Sequence, residues 1–317
     1  MKKHQIGNSL LLLLTAIVWG VAFVAQSVGM DYVGPFTFTS VRSLIGGVFL
    51  IPCIAFLQWL ENRTKKRTLE GGGAPKQPEP LLSREQQQKQ RRLLLLGGVL
   101  CGLALCTASC FQQFGIQYTS VGKAGFITAF YIIIVPVLGL FLKKKCGPLV
   151  WIGVALALAG LYFLCINESL HIGLGDLLVF ICALLFAVHI LVIDYFTQRV
   201  DGVKMSCIQF FVCGLVSGLG MLLVEKLQIS QILAAWKPIL YAGMLSSGVG
   251  YTLQIVGQKG MNPTVASLIL SLESVVSVLA GMLFLEQTLS NREILGCVLM
   301  FGAIVLAQLP QGKRTSS

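Results

Sequence analysis

In 317 residues the chain carries 55% hydrophobic and only 12% charged residues, with a mean hydropathy of +0.80; this excludes a soluble globular domain. The formal net charge of +11 does not signal nucleic acid, because the basic residues cluster between apolar runs instead of lining a groove for phosphates. Ten cysteines are nearly all placed inside apolar runs, with no C-x-x-C spacing or histidine partner, and read as packing residues, so neither metal nor cofactor is expected.

Ten apolar runs follow one another, near the length of roughly 20 residues that a helix needs to cross a bilayer. Span one, 9–28, carries Trp19-Gly20 and Phe23. The Met1-Lys2-Lys3 before it resembles a signal peptide, but no small-x-small cleavage site follows, which predicts an uncleaved first span. Span two, 35–59, begins at Pro35 and contains Arg42. Residues 60–92 form the long polar segment, basic at first, then GGGAPKQPEP and SREQQQKQRR; they read as a flexible linker with at most a short surface helix. Span three, 93–113, ends in Gln112-Gln113, span four, 120–142, holds Tyr131 and Pro136, and span five is 148–166. Spans six to ten are 175–194, 204–224, 237–257, 263–285 and 292–309; the unusual side chains inside them are His189, Gln209, Gln254 and Glu273.

Span nine stands out. Asn262-Pro263 supplies a capping side chain and a proline where the missing N–H costs nothing. Glu273 follows at about 15 Å of helix rise, near the middle of a hydrocarbon core about 30 Å thick. Ala266, Ser267, Ser271, Ser274, Ser277, Ala280 and Gly281 give this helix a small-residue face, suited to close packing or to the wall of a cavity.

The chain also repeats itself. A shift of 142 places Gln254 on Gln112, Gly257 on Gly115 and Ala266 on Ala124; earlier, a shift of 168 places Gly175 on Gly7 and Gly214 on Gly46. Two homologous halves, 1–167 and 168–317, are expected. Of the 24 Lys and Arg residues, 19 fall at the termini and in loops after even spans, 4 fall in the other loops, and Arg42 is the remainder. The positive-inside rule then places both termini in the cytoplasm. Five spans per half is an odd number, so the second half enters the membrane inverted, the arrangement that supports alternating access around a site between the halves.

On Trp19-Gly20, Val41-Arg42, Tyr118-Thr119-Ser120 leading into Gly125-Phe126-Ile127-Thr128, Val135-Pro136, Ser271-Leu272-Glu273 and Leu285-Glu286, the chain resembles the drug/metabolite transporter superfamily, in its ten-span branch with two EamA-type repeats. The resemblance implies an all-α membrane protein, a secondary carrier in the plasma membrane that often exports amino acids or related metabolites. Such proteins often carry proline directly after the acid of span nine; here the residue is Ser274, a departure that predicts a milder kink.

Seven residues are candidates for binding the substrate. Glu273 reads as a site for a proton or a substrate ammonium, or as an acid hydrogen-bonded to a neighbouring helix; a charge at a helix centre costs about 2.5–3.5 kcal/mol on insertion scales, so it faces protein or water. Arg42 either snorkels outward, pairs within the bundle or binds an anionic group, and His189 either packs or lines the pathway. Gln112 and Gln254 offer amides to a zwitterion from matching positions, or glue helices together; Trp19 and Tyr131 offer an aromatic wall, or anchor and pack. The expected cavity is lined by spans one, three, four, six, eight and nine, with H+ as a candidate coupling ion and a small molecule and the lipid bilayer as partners. No nucleic acid is expected, and a homodimer is open. An enzyme is disfavoured: His189 and Asp194 have the H-x4-D spacing of some acyltransferases but point about 140° apart on a helix. The rival reading is a channel or a non-transporting scaffold.

Overall fold

The computed structural model describes residues 3–70, 83–143, 147–165, 173–226, 228–285 and 290–308. In chain order the helices are α1 Lys3–Met30, α2 Pro35–Glu70, α3 Arg84–Ile116, α4 Val121–Thr128, α5 Tyr131–Phe141, α6 Pro148–Cys165, α7 Leu174–Thr197, α8 Gly202–Val224, α9 Ile229–Ala234 and α10 Trp236–Leu240. A π-helical segment, Tyr241–Gly250, leads into α11 Tyr251–Gln258, followed by α12 Pro263–Leu270, α13 Glu273–Leu285 and α14 Asn291–Gln308. Side chains such as Leu219, Leu223, Phe56 and Val48 lie exposed on the outside while Gln112, Gln254, Arg42 and Glu273 are buried, the inversion expected where lipid is the solvent.

Eight segments among the described residues are long and apolar enough to cross a membrane. Expected spans five and ten fall short of the length of the others, with apolar stretches only at Pro148–Gly160 and Ile294–Ala303. These two helices pack closely on each other: a Cβ on Gly160 would lie 2.9 Å from the carbonyl oxygen of Gly296, so only glycine fits that crossing.

The polar segment 60–92 is narrower as a linker than expected. Helix α2 continues to Glu70, and α3 begins at Arg84 behind a capping box, with Ser83 Oγ accepting from Gln86 N and Gln86 Oε1 from Ser83 N. Runs of Gln, Lys, Arg and Glu are good helix formers, so both spans extend past their apolar limits; residues 71–82 lie outside the described residues.

Two spans are interrupted. The fourth breaks at Ala129-Phe130, between α4 and α5, and the ninth at Ser271-Leu272, between α12 and α13. The milder kink expected from Ser274 gives way to a clear break, flanked by serines that bond back to the helix. The hydroxyls of Ser267, Ser271, Ser274 and Ser277 donate to the carbonyls three residues earlier, at 2.9, 2.7, 2.7 and 2.8 Å. These bonds compete with the α-helical ladder and tighten it: Leu272 N and Ser274 N bond three residues back, to Ile269 O and Ser271 O.

Candidate functional site

A cavity of about 30 Å3 lies at the centre of the bundle, room for about two water molecules. Its walls come from all six of the expected spans, and Arg42 of α2 is added to them. Six of the seven candidate residues line it: Trp19, Arg42, Gln112, Tyr131, Gln254 and Glu273.

The breaks place the two most polar tips. Tyr131 and Glu273 are the first residues of α5 and α13, and the Tyr131 hydroxyl donates to Glu273 Oε1 at 2.9 Å across a sequence separation of 142 residues. The carboxylate of Glu273 therefore sits at the amino end of a helix, where the aligned peptide dipoles favour negative charge. Arg42, in the same lining, is 3% exposed, so it does not snorkel; its Nε has no hydrogen-bond partner and its guanidinium lies 5.8 Å from the centre of the Phe38 ring. No ion pair joins Arg42 to a carboxylate among the described residues.

The amides complete the polar lining. Gln112 Nε2 donates to Thr128 Oγ1 at 3.2 Å, while Gln254 Oε1 and Gln26 Oε1 are buried without partners. Trp19 and Tyr251 form the aromatic wall with ring centres 4.5 Å apart, and Trp19 Nε1 donates to Ser246 O in the π-helical segment at 3.3 Å. That segment, YAGMLSSGVG, spends its irregular backbone beside the cavity, as π-helical turns often do at functional sites.

His189 is the candidate that the fold does not bring to the cavity. It is fully buried one layer behind, with Nε2 3.1 Å from Gln209 Oε1 and its ring against Phe186 and Tyr251. Its angular position on α7 turns it toward α8, where Gln209 takes up the ring nitrogen. Sequence reasoning missed Gln26, Ser246 and Tyr251. For Gln26 a signal exists: Trp19, Ala22, Phe23 and Gln26 stand at i, i+3, i+4 and i+7, one face of a helix.

Beyond the cavity, at the end of the bundle that holds the α1–α2 turn, two carboxylates tie helices together. Glu225, after α8, accepts from Phe36 N and Thr37 N at 2.8 Å each and from Thr37 Oγ1 at 2.6 Å, capping the start of α2. Asp176 of α7 accepts from Thr119 Oγ1 at 2.7 Å and pairs with Lys123 Nζ at 2.6 Å, beside the start of α4.

A lipid-facing helical bundle with a small central chamber into which several polar side chains converge is the construction of an integral membrane transport protein. The comparisons make this specific. The model of the EamA-like transporter family matches residues 7–166 and 173–309, and the chain belongs to that family. It is a transporter family and not a family of enzymes. The chain is similar to an uncharacterized transporter of Archaeoglobus fulgidus, at 26% identity over 94% of this chain and 84% of the relative. It is also similar to the uncharacterized transporter YwfM of Bacillus subtilis, at 26% identity over 97% of this chain and 96% of the relative. A protein of known crystal structure shares the fold with a TM-score of 0.70 over 95% of this chain and 96% of its own, at 18% identity.

Proposed function

We propose that the chain is a secondary-active carrier that exports a small zwitterion, an amino acid or a related metabolite, across the plasma membrane by alternating access. In this reading it has ten spans in two inverted halves, 1–167 and 168–317, with both termini cytoplasmic. The observation that carries the proposal is the pairing of opposite charges in one chamber without a bond between them. Arg42 and Glu273 both line the cavity, Glu273 is held by Tyr131, and Arg42 Nε has no partner. A buried ion costs several kcal/mol unless it is compensated, so each site calls for a counter-charge. A substrate carboxylate at Arg42 and its ammonium at Glu273 would supply both, with the free oxygens of Gln254 and Gln26 as further acceptors and Trp19 and Tyr251 against the side chain. When the ammonium leaves, a proton is the natural replacement at Glu273, which makes H+ the coupling ion of this reading.

The inverted repeat is supported by the interruptions. The breaks in the fourth and ninth spans, the caps Ser120 and Asn262 and the first residues after each break fall at equivalent positions of the two halves. Hinges there would let the chamber open first toward one side and then toward the other, while Glu225 and Asp176 hold one end shut. The test is uptake of labelled amino acids into proteoliposomes preloaded with unlabelled substrate. Saturable uptake accelerated by counter-flow supports the carrier; a channel gives flux without counter-flow, a scaffold gives no flux, and either would refute it.

A further inference from the structure

We propose that a second cavity, at the end of the bundle where α3 begins, is a binding site for a phosphate-bearing anion, either the headgroup of an anionic phospholipid or a soluble phosphate ester. This cavity measures about 910 Å3 and shares no lining residue with the central chamber. Three separate segments turn cations into it: Arg91 from α3, Arg199 and Lys204 from the α7–α8 corner, and Lys259 from just after α11. Asp201 is the single carboxylate among the lining residues. Four cations around one concave space make it a favourable place for an anion of more than one charge or for a dense anionic surface.

The remaining groups define how such a ligand would be held. Arg199 donates to Tyr195 O and lies 3.9 Å over the Tyr195 ring, so its guanidinium is partly engaged outside the cavity and Arg91, Lys204 and Lys259 are the freer cations. The amides at the start of α8 are not available, because Asp201 Oδ1 accepts from Val203 N and Lys204 N. Lys204 Nζ is only loosely paired with Asp201, at 3.6 Å. The donors of the site are therefore side chains and not a helix terminus, and planar guanidinium forks suit phosphate oxygens. Leu94, Ile255 and Val256 add an apolar wall, the place for glycerol and acyl carbons when the phosphate belongs to a lipid.

The test is a ligand titration of the purified full-length protein in neutral detergent, read by thermal unfolding. The probes are dioctanoyl phosphatidylglycerol and glycerol 3-phosphate, against dioctanoyl phosphatidylcholine and sodium chloride at matched ionic strength. The expected result is saturable stabilisation by phosphatidylglycerol, with affinity falling about fivefold for each cation removed in Arg91→Gln and Lys259→Gln. Saturation by phosphatidylglycerol alone identifies a lipid headgroup as the ligand, and saturation by both probes identifies the phosphate itself. Equal stabilisation by phosphatidylcholine or by chloride, or unchanged affinity in the Arg91→Gln/Lys259→Gln double variant, overturns the proposal. Both residues of that variant stand on the exposed rim, so its folding is not at stake. Binding is read without transport, so failure here leaves the carrier reading untouched, and the reverse also holds.

Discussion

The two interrupted spans are built alike and end differently. In each, a polar side chain caps the first half (Ser120 for α4, Asn262 for α12), that half runs for 8 residues, and a two-residue break delivers the next side chain to the central chamber. The delivered side chain is Tyr131 in one and Glu273 in the other, and the first donates to the second. The flanking residues differ too: α5 contains Pro136, whereas serine hydroxyls bond back along α12 and α13. The backbone device is duplicated while the charge is not. One broken helix supplies the acid and its counterpart supplies the hydrogen bond that orients it.

Making the two helices alike should have the largest effect. Glu273→Tyr leaves two phenols facing each other and removes the carboxylate from the cavity that holds Arg42. It removes the group assigned to the substrate ammonium, so transport into proteoliposomes should fall by about a hundredfold or more while the membrane level stays normal. Tyr131→Phe removes only the hydroxyl. A hydrogen bond to a charged group is worth about 1.5–3 kcal/mol, and the expected loss is about tenfold, seen chiefly as a raised KM and an altered pH profile. An unchanged pH profile would mean that the phenol packs and does not orient the acid.

A smaller effect is expected away from the chamber. Glu225→Gln and Asp176→Asn keep the shapes of the two ties at the α1–α2 end and remove their charges. Weakening that closure should shift the resting population toward opening at that end, measurable as several-fold faster labelling of a cysteine placed beside the tie, with substrate affinity little changed. The smallest effect is expected from Ser271→Ala with Ser274→Ala. Without the two back-bonds the ninth span should straighten, with a stability change of about 1 kcal/mol or less by thermal unfolding and a modest loss of transport rate. A large loss of rate would make the break itself part of the gate.

Much of the chamber was legible in the sequence because polar side chains are rare in apolar runs. Glu273, Arg42, Gln112 and Gln254 stood out for that reason, and the same shift of 142 residues that relates Gln254 to Gln112 also relates Glu273 to Tyr131. What could not be read was rotation about helix axes, since one residue of offset turns a side chain by about 100°. His189 fell behind the wall on that account, and Gln26 and Tyr251 came onto it. The π-helical course of Tyr241–Gly250 depends on what α1 offers it, through Trp19 to Ser246 O and Thr15 to Gly250 O, and left only a Gly/Ser-rich run as its trace. The limits of the polar segment were misplaced for the opposite reason: hydropathy marks where the bilayer ends, while helix propensity carries α2 and α3 beyond it.

The central claim is that the charge of Glu273, and not its shape, is what transport turns on. Counter-flow of a labelled amino acid by Glu273→Gln, at membrane levels equal to wild type and across a range of pH, tests it most directly. The amide keeps the size and can still accept from Tyr131. The account predicts that counter-flow is lost at every pH. Wild-type counter-flow in Glu273→Gln, with its pH dependence intact, would contradict the account and leave Glu273 a structural partner of Tyr131.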